Sequence, residues 1–285
     1  MKLALVVCIY NRHDLEAIVL ENFKRQSKKY GFDVIVVGSE GDVSRSLAKG
    51  CIYVEHANNP VSDKHNAGVL KAREIGCNGV ILMGSDDIVS DNYFDFVKSK
   101  VDSDGVVGLK DVCFYSTNTK QLTRFNGYSN GSQTVGAGRF FPLSVLEKMD
   151  WQLWSSGLNR GLDTDCSRKL AKNGVIEYSF SMEETGVFLV DVKHSVSITN
   201  HSIVDVGEVL NLEVMDKKIP KKIVSKIKAL EAVKEKAIEL DDSKSYLVRS
   251  NGKSKFLKEG VEFIENSWNT RVLLEKGFVQ IVKQL

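Results

Sequence analysis

The stretch VILMGSDD at residues 80–87 decides the fold of this protein. A short apolar run, Val80–Met83, is followed directly by a turn that ends in two carboxylates, Asp86 and Asp87. An apolar run of this length, bounded by turn residues, predicts a buried strand. In α/β proteins the carboxyl ends of such strands face the crevice in which ligands bind. The stretch therefore predicts a buried strand that places two acidic side chains at the ligand-binding edge of a sheet.

Upstream of this strand, strand and helix signals alternate. The runs Leu3–Tyr10, Asp33–Val37 and Cys51–Glu55 predict further buried strands, while Leu15–Gln26 and Asn66–Ile75 predict helices. Strands separated by helices favour right-handed crossovers and a mostly parallel sheet. The predicted fold class is α/β, a mostly parallel sheet flanked by helices.

The second half of the chain is less regular. Val106–Tyr115 predicts one strand, Thr164–Lys172 predicts a helix opened by Asp163, and Ile219–Leu240 predicts a charged amphipathic helix. We expect an α/β domain at residues 1–215, a charged linker helix at 216–242 and a small C-terminal α+β module at 243–285.

Composition limits the class of protein. The chain has 285 residues, of which 42% are hydrophobic and 27% charged, and its apolar runs are too short to cross a bilayer. Its five cysteines are widely spaced and form no C-x-x-C pair, which is typical of a reducing compartment. These features predict a cytoplasmic protein without a membrane span or a disulfide framework.

The net charge of +2 is unevenly distributed along the chain. Residues 217–285 contain 16 Lys/Arg and 9 Asp/Glu, a net charge of +7, whereas residues 1–216 have a net charge of −5. The acidic part suits a metal site, and the basic tail suits contact with a polyanion or another subunit. A solvated, lysine-rich helix explains the tail equally well.

The acidic pair Asp86 and Asp87 predicts a site for Mn²⁺ or Mg²⁺. Such hard cations take oxygen ligands and are often held by one or two carboxylates together with substrate phosphates. The alternative is an ordinary turn, in which Asp and Ser are common.

Residues 62–87 resemble family 2 glycosyltransferases of the GT-A fold, whose pattern is a helix opened by Arg-Asn-x-Gly, an apolar strand and an Asp-x-Asp-Asp turn. Lys64 or His65 stands near the basic residue of that pattern, and Asn66 and Gly68 match its Asn and Gly. The resemblance implies a GT-A (Rossmann-like) sheet and a nucleotide-sugar donor, with Lys64 and Asn66 among its contacts.

In the same pattern, Asp86 matches the metal-binding last residue of the Asp-x-Asp triplet, and Asp87 matches the Asp after it. Gly84 stands where many members have the first Asp. The resemblance also implies a late histidine in the metal shell, for which His194 and His201 are the candidates. The alternative is a structural histidine, which is the commoner role of a lone histidine.

Two upstream segments extend the resemblance. The end of the first strand, with Tyr10 and Asn11, is similar to the strand that packs near the nucleotide base in the family. The turn at residues 38–42 is similar to the family's second-strand turn, so Glu40 or Asp42 is expected to contact the base or the ribose. A plain polar turn is the alternative interpretation of these two carboxylates.

Two downstream segments complete the resemblance to the family. Residues 136–141 resemble the small-residue strand that lines the sugar pocket, which implies close approach of a ligand at Gly138, although a bulged strand is the alternative. Residues 161–174 resemble the family's Glu-Asp block, in which Asp163 falls on the catalytic base of inverting members and Leu162 replaces the Glu. The alternative role of Asp163 is a helix N-cap.

The predicted function is transfer of a sugar from a nucleotide diphosphate, a UDP-sugar by analogy with the family, to an acceptor hydroxyl with inversion. The acceptor is open. Residues 245–285 loosely resemble C-terminal modules of bacteriophage proteins, which makes hydroxylated DNA bases a candidate, beside glycan, lipid and protein acceptors.

Two other functions are compatible with the pattern. A nucleotidyltransferase is disfavoured because residues 9–13 lack the glycine of a phosphate loop. A binding protein that has lost its chemistry is kept open by Gly84 and Leu162.

Overall fold

The computed structural model describes residues 2–128, 133–193 and 207–230 in full, and the backbone of three strands at 245–250, 262–266 and 279–284. The chain forms two compact units, Met1–Ala232 and Val233–Leu285. The boundary between the units falls within the predicted linker at 216–242, of which residues 231–242 lie outside the described part.

The helices and strands of the first unit are, in chain order, β1 (Leu3–Cys8), α1 (His13–Tyr30), β2 (Asp33–Gly38), α2 (Asp42–Leu47), β3 (Ile52–Glu55), α3 (Val61–Glu74), β4 (Gly79–Gly84), β5 (Asp87–Val89), α4 (Asn92–Lys98), β6 (Val106–Leu109), β7 (Val112–Ser116), β8 (Leu122–Phe125), β9 (Arg139–Pro142), α5 (Leu143–Lys148), α6 (Leu162–Lys172), β10 (Glu177–Phe180), α7 (Met182–Thr185), β11 (Leu189–Lys193), β12 (Glu208–Leu210), α8 (Glu213–Lys218) and α9 (Lys221–Ala229).

The main sheet has seven strands in the order β10-β6-β9-β4-β1-β2-β3. Strand β1 pairs in parallel with β2 and β4, and β2 pairs in parallel with β3. Only β9 runs antiparallel to its neighbours β4 and β6. The predicted α/β fold, with a mostly parallel sheet flanked by helices, is confirmed.

Both faces of the sheet are covered because alternate residues of β1 enter different cores. Leu5 and Val7 pack in one hydrophobic cluster with side chains of α1, while Ala4 and Val6 pack in another with side chains of α3. Gly68 allows α3 to lie close to the sheet, since a Cβ there would approach Val6 Cγ1 to 2.4 Å. Burying one large apolar side chain contributes about 1.5–3 kcal/mol, so these two clusters supply much of the stability.

A second sheet has five strands in the order β12-β8-β7-β11-β5. The prediction of a single strand at Val106–Tyr115 is wrong, because the segment forms β6 in the main sheet and β7 in the second sheet. Asp111 stands at the break and is buried. Its carboxylate accepts hydrogen bonds from Arg124 Nε (2.9 Å) and Met182 N (2.7 Å), which holds the chain where it changes sheets.

The last helix of the first unit, α9, packs against α1. Lys222 and Lys226 of α9 both form ion pairs with Glu21 of α1. In the second unit, β13 (Ser245–Ser250), β14 (Glu262–Asn266) and β15 (Val279–Gln284) form an antiparallel sheet in the order β14-β13-β15. In the described part of the chain, no helix has the length and apolarity needed to span a membrane.

Candidate active site

A cavity of about 590 Å³ lies at the carboxyl end of β4 and is lined by residues of both sheets and of α6. Its lining includes four carboxylates: Asp86 and Asp87, which follow β4, Asp191 on β11, and Asp163 on α6. The sequence had predicted three of them. The fold brings all four to one cavity although they are up to 105 positions apart in the chain.

Asp86, Asp87 and Asp191 form a cluster, which we call the carboxylate cluster. Strand β5 pairs antiparallel with β11, so that Asp87 stands opposite Asp191. Each of the three offers a carboxylate oxygen, and these oxygens all lie within 4.8 Å of one another. The register of the two strands therefore creates the cluster.

Two cations lie beside the carboxylate cluster. Arg12 Nη1 donates to Asp86 Oδ2, and Arg12 Nη2 donates to Ser85 Oγ at 2.7 Å. Lys193 Nζ donates to Asp191 Oδ2 at 2.5 Å. For Asp86, burial opposes ionisation, but the charges of Arg12 and Lys193 outweigh it and lower its pKa.

The other two carboxylates of the cluster are harder to ionise. Burial and then the charge of Asp86 raise the pKa of Asp191 to about 6. Burial and then the charges of Asp191 and Asp86 raise the pKa of Asp87 well above its usual value. Burial and the closeness of the three carboxylates together oppose full ionisation of the cluster.

The cluster fits a hard divalent cation. All its ligand atoms are carboxylate oxygens, the type that Mn²⁺ and Mg²⁺ prefer. Among the residues that the structure describes, the buried Oδ1 of Asp191 has no hydrogen-bond partner. A buried carboxylate oxygen without a donor is costly, and a bound cation would satisfy it.

Gly84 leaves room for the two carboxylates in this arrangement. A Cβ at residue 84 would lie 2.7 Å from both Asp86 Oδ1 and Asp87 Oδ2, and Gly84 N donates to Asp87 Oδ2 at 2.5 Å. An aspartate at this position, as in the Asp-x-Asp pattern, would therefore require the two carboxylates to shift. Asp191 on β11 instead contributes the third carboxylate.

Sequence reasoning missed Asp191, although a signal was present. In the segment LVDVK (residues 189–193), Asp191 and Lys193 occupy alternate positions of an otherwise apolar strand. Because alternate residues share one face of a strand, an acid and a base there indicate a buried polar site. The predicted histidine ligands His194 and His201 lie outside the described residues.

Asp163 lines the cavity from the first turn of α6. The interpretation of Asp163 as an N-cap is wrong, because the helix begins at Leu162 after Gly161, and no side chain caps it. Instead, Asp163 Oδ2 accepts hydrogen bonds from Gly136 N (3.1 Å) and Tyr128 Oη (2.9 Å). A Cβ at residue 136 would lie 2.2 Å from Asp163 Oδ1, so glycine is needed for the carboxylate to take this place.

Arg139 is a second cavity residue that the sequence did not indicate. Its side chain is only 1% exposed. It donates to Thr134 Oγ1 and Thr134 O, both at 2.7 Å, and to the carbonyl of Asp163 at 3.4 Å. Arg139 thus ties residues 134–139 to the start of α6 and holds Gly136 beside Asp163.

Gly138 has a left-handed φ of 74°, and its carbonyl accepts from Tyr93 Oη at 2.9 Å.

Asn66 positions an aromatic wall of the cavity. Its Oδ1 accepts from the backbone N–H groups of Leu153 (3.1 Å) and Trp154 (3.2 Å), and its Nδ2 donates to Trp154 O (2.9 Å). The His65 and Trp154 rings, both in the cavity lining, lie 5.0 Å apart. Burial, and then the charge of Lys64, lowers the pKa of His65 to about 4, so its imidazole is neutral at pH 7.

The other predicted nucleotide contacts meet at the carboxyl ends of β1 and β2. Asn11 has a left-handed φ of 55°, and its N–H donates to Glu40 Oε2 at 3.0 Å. Lys64 is buried, and its Nζ donates to Ile9 O at 2.6 Å and to Ser39 Oγ at 3.0 Å.

Tyr10 is 47% exposed, and its ring centroid lies 5.7 Å from Lys64 Nζ. Tyr10, Asn11, Glu40 and Lys64 therefore form one group. Arg12, the residue after Asn11, connects this group to Asp86 in the cavity.

No protein-family model matches the sequence, and no curated protein matches it. Among solved structures, S. aureus TarS 1–349 is 14% identical with a TM-score of 0.49, covering 67% of this chain, which spans 60% of that one. The mannosyltransferase PcManGT from Pyrobaculum calidifontis, solved with GDP-Man and Mn²⁺, is 15% identical with a TM-score of 0.46, over 70% of this chain and 59% of that one. A CMP:2-keto-3-deoxy-manno-octonic acid synthetase complexed with CTP is 13% identical with a TM-score of 0.41, over 72% and 96%.

Proposed function

We propose that this protein is a metal-dependent glycosyltransferase that moves a sugar from a nucleotide diphosphate to an acceptor hydroxyl with inversion. One observation supports it most: a single cavity contains both an oxygen-only cluster suited to Mn²⁺ or Mg²⁺ and a separate carboxylate, Asp163, that belongs to no ion pair among the described residues. A transfer from a diphosphate needs both kinds of group, one beside the leaving group and one beside the acceptor.

Asp163 is the proposed general base. Tyr128 and Gly136 both donate to its Oδ2, which orients the carboxylate and leaves Oδ1 to take a proton. In the proposed step the acceptor oxygen forms a bond to the anomeric carbon on the face opposite the diphosphate. The bond from that carbon to the diphosphate oxygen breaks with its electron pair, and the acceptor proton passes to Asp163 Oδ1.

The carboxylate cluster is the proposed metal site, with Asp86, Asp87 and Asp191 as ligands. The cation, when bound, supplies positive charge that offsets the charge of the departing diphosphate. Arg12 and Lys193 lie beside the same carboxylates, and a guanidinium and an ammonium are suited to contact diphosphate oxygens.

The proposed donor is a UDP-sugar. Tyr10, Asn11, Glu40 and Lys64 would hold the base and ribose end, Gly138 would let backbone approach the sugar, and Asn66 would act by holding Trp154 in the cavity wall. The acceptor stays open, and a hydroxylated DNA base is one candidate beside glycan, lipid and protein acceptors. Of residues 245–285, whose resemblance suggested the DNA base, the structure describes only the backbone of 245–250, 262–266 and 279–284.

The experiment is nucleotide release from UDP-, GDP- and TDP-sugars, with Mn²⁺ and with EDTA. Asp86→Ala and Asp163→Ala would be compared with the wild type and with Asp165→Asn. Asp165 is a suitable control because it lies in the same helix turn as Asp163, but its carboxylate accepts hydrogen bonds from Ser155 N and Oγ. Release that needs Mn²⁺ and Asp86, and that survives in the control, supports the proposal. Failure of every sugar nucleotide to bind or turn over would reject it.

A second function has its own support. The ion pairs of Arg12 with Asp86 and of Lys193 with Asp191 partly neutralise the cluster with protein cations alone. A protein that binds a sugar nucleotide without metal or chemistry would show this arrangement. Calorimetric binding of UDP-sugars that is unchanged by EDTA, together with no nucleotide release, would favour this alternative.

A further inference from the structure

A second group of potential metal ligands lies at the start of α1, apart from the carboxylate cluster. His13 and Glu16 are three residues apart in the first turn of α1, and Glu40 follows β2. Each of the three offers one ligand atom, and these atoms lie within 4.8 Å of one another. Residues at i and i+3 share one face of a helix, so His13 and Glu16 can face the same point.

His13 is already close to Glu40. Its Nε2 lies 3.1 Å from both carboxylate oxygens of Glu40. Glu40 Oε2 also accepts from Asn11 N, which orients the carboxylate toward α1. Two ligands from separate segments are therefore held together before any ion binds.

Glu16 provides the independent sign of a missing ligand. The residue is 0% exposed, and its Oε1 accepts from Tyr10 N at 2.6 Å. In the part of the chain that the structure describes, its buried Oε2 has no hydrogen-bond partner. Arg12 does not satisfy it, because the guanidinium of Arg12 donates to Asp86 and Ser85. Buried carboxylate oxygens are normally satisfied, so this one points to a ligand.

We propose that His13, Glu16 and Glu40 bind a divalent transition-metal ion of the Zn²⁺ class. Zn²⁺ is bound by imidazole nitrogens and by carboxylate oxygens, and a site with three protein ligands keeps a fourth position for water. The nitrogen ligand favours Zn²⁺ or Co²⁺ over Mg²⁺, whereas the oxygen-only carboxylate cluster has the opposite preference. Two negative carboxylates offset the unfavourable placement of a cation near a helix N-terminus.

The proposal is independent of the transferase activity and has a consequence for it. A metal ion bound here occupies the Glu40 carboxylate, which the proposed function gives to the nucleotide. Zn²⁺ and the nucleotide then compete for this end of the sheet, and Zn²⁺ bound here raises the apparent Kd for the donor.

Co²⁺ titration of the metal-free, full-length protein tests the site, with visible d–d absorption as the readout. In an Asp86→Asn/Asp191→Asn background, which removes the carboxylate cluster, one equivalent of Co²⁺ is expected. Zn²⁺ should displace it and Mg²⁺ should not. Adding Glu16→Gln should weaken Co²⁺ binding at least about tenfold, since the amide keeps the bond to Tyr10 N but loses the charged ligand oxygen.

Glu21→Gln is the matched control, because Glu21 lies in the same helix but pairs with Lys222 and Lys226. His13→Gln, at an exposed position, serves if a Glu16 variant does not fold, as judged by circular dichroism. Introduced singly into the wild-type protein, Glu16→Gln or His13→Gln should lower the number of bound Co²⁺ ions by one. Co²⁺ bound with unchanged affinity in Glu16→Gln and His13→Gln, or no Co²⁺ in the cluster-free background, would overturn the site. If the wild type binds one Co²⁺ ion that is lost in Asp86→Asn/Asp191→Asn but kept in Glu16→Gln and His13→Gln, the ion binds at the carboxylate cluster and this second site is rejected.

Discussion

The cavity and the carboxyl ends of β1 and β2 hold their polar groups in different ways. In the cavity, Asp87 and Asp191 face each other across two paired strands, and the pKa values of both are raised. At the ends of β1 and β2, Lys64 donates to three oxygen acceptors, and Glu40 accepts from Asn11 N. The cavity groups are thus less completely satisfied than those at the strand ends.

This difference separates the residues proposed to carry out the chemistry from the residues proposed to hold the nucleotide. A buried group without its full set of partners is destabilising unless something binds it. Substitutions in the cavity should therefore lower kcat or metal affinity. Substitutions at the strand ends should raise KM and lower stability, and Glu16, with its unpartnered oxygen, is the exception there.

The largest effect is expected for Asp163→Asn. Loss of the general base should lower kcat for sugar transfer by about 10²- to 10⁴-fold, while donor affinity measured by calorimetry stays within about twofold. Steady-state kinetics of nucleotide release with acceptor present checks this. Asp165→Asn should retain kcat, and an equal loss in both variants would show that the helix start, and not the base, had been disturbed.

Gly136→Ala should lower kcat by about 100-fold through displacement of the base. A Cβ at this position would lie 2.2 Å from Asp163 Oδ1, and misplacement of a catalytic group by about 1 Å has effects of this size. The double variant Gly136→Ala/Asp163→Asn is the control. The double variant should be little slower than Asp163→Asn alone. If the two losses in kcat multiply instead, Gly136 acts on something other than Asp163.

Asp191→Asn should weaken Mn²⁺ binding by about 10- to 100-fold, because an amide replaces a charged ligand of the carboxylate cluster. Electron paramagnetic resonance of free Mn²⁺ during titration measures this directly. Asp104→Asn, at a carboxylate that accepts from Tyr178 Oη, is the control. Unchanged Mn²⁺ affinity in Asp191→Asn would remove Asp191 from the proposed ligands.

The smallest effect on catalysis is expected for Lys64→Met at the strand ends. The change removes the ammonium donor from the buried carbonyl of Ile9, so the free energy of unfolding should fall by about 1–3 kcal/mol. KM for the donor should rise about tenfold, equivalent to about 1.4 kcal/mol, with kcat nearly unchanged. Urea denaturation measures the free energy of unfolding, and steady-state kinetics with varied donor measures KM and kcat. Lys71→Met, on the same helix, is the control. A large fall in kcat would place Lys64 with the cavity residues.

Local patterns sufficed for strands β1 to β4 of the main sheet but not for the passage of the chain into the second sheet. The apolar runs of β1, β2 and β4 predicted buried strands, because a strand covered on both faces needs apolar side chains at every position. At Val106–Tyr115 the same rule failed, since an apolar run does not show where a chain passes from one sheet to another. Lys110 and Asp111, two charged residues that interrupt the apolar run, were the local sign.

The residues of the candidate site likewise fall into those that local sequence predicts and those that depend on distant contacts. Asp86 and Asp87 were predictable because two carboxylates directly after a buried strand are a local feature. Asp163 was found by its place in a family pattern, and its contacts with Gly136 and Tyr128 depend on a loop about 30 residues away. Asp191 depends on an antiparallel pairing over about 100 residues, which no local pattern specifies.

By itself, the sequence determined the fold class, the strand that carries Asp86 and Asp87, and the acidic character of the site, because the spacing of apolar residues and the residues that end a strand act over a few positions. Only the tertiary structure decided which third carboxylate joins them, why residue 84 is glycine, and how Asp163 is oriented. These depend on strand register, on the space around a Cβ and on hydrogen bonds between distant segments, and such properties arise only when the chain is folded.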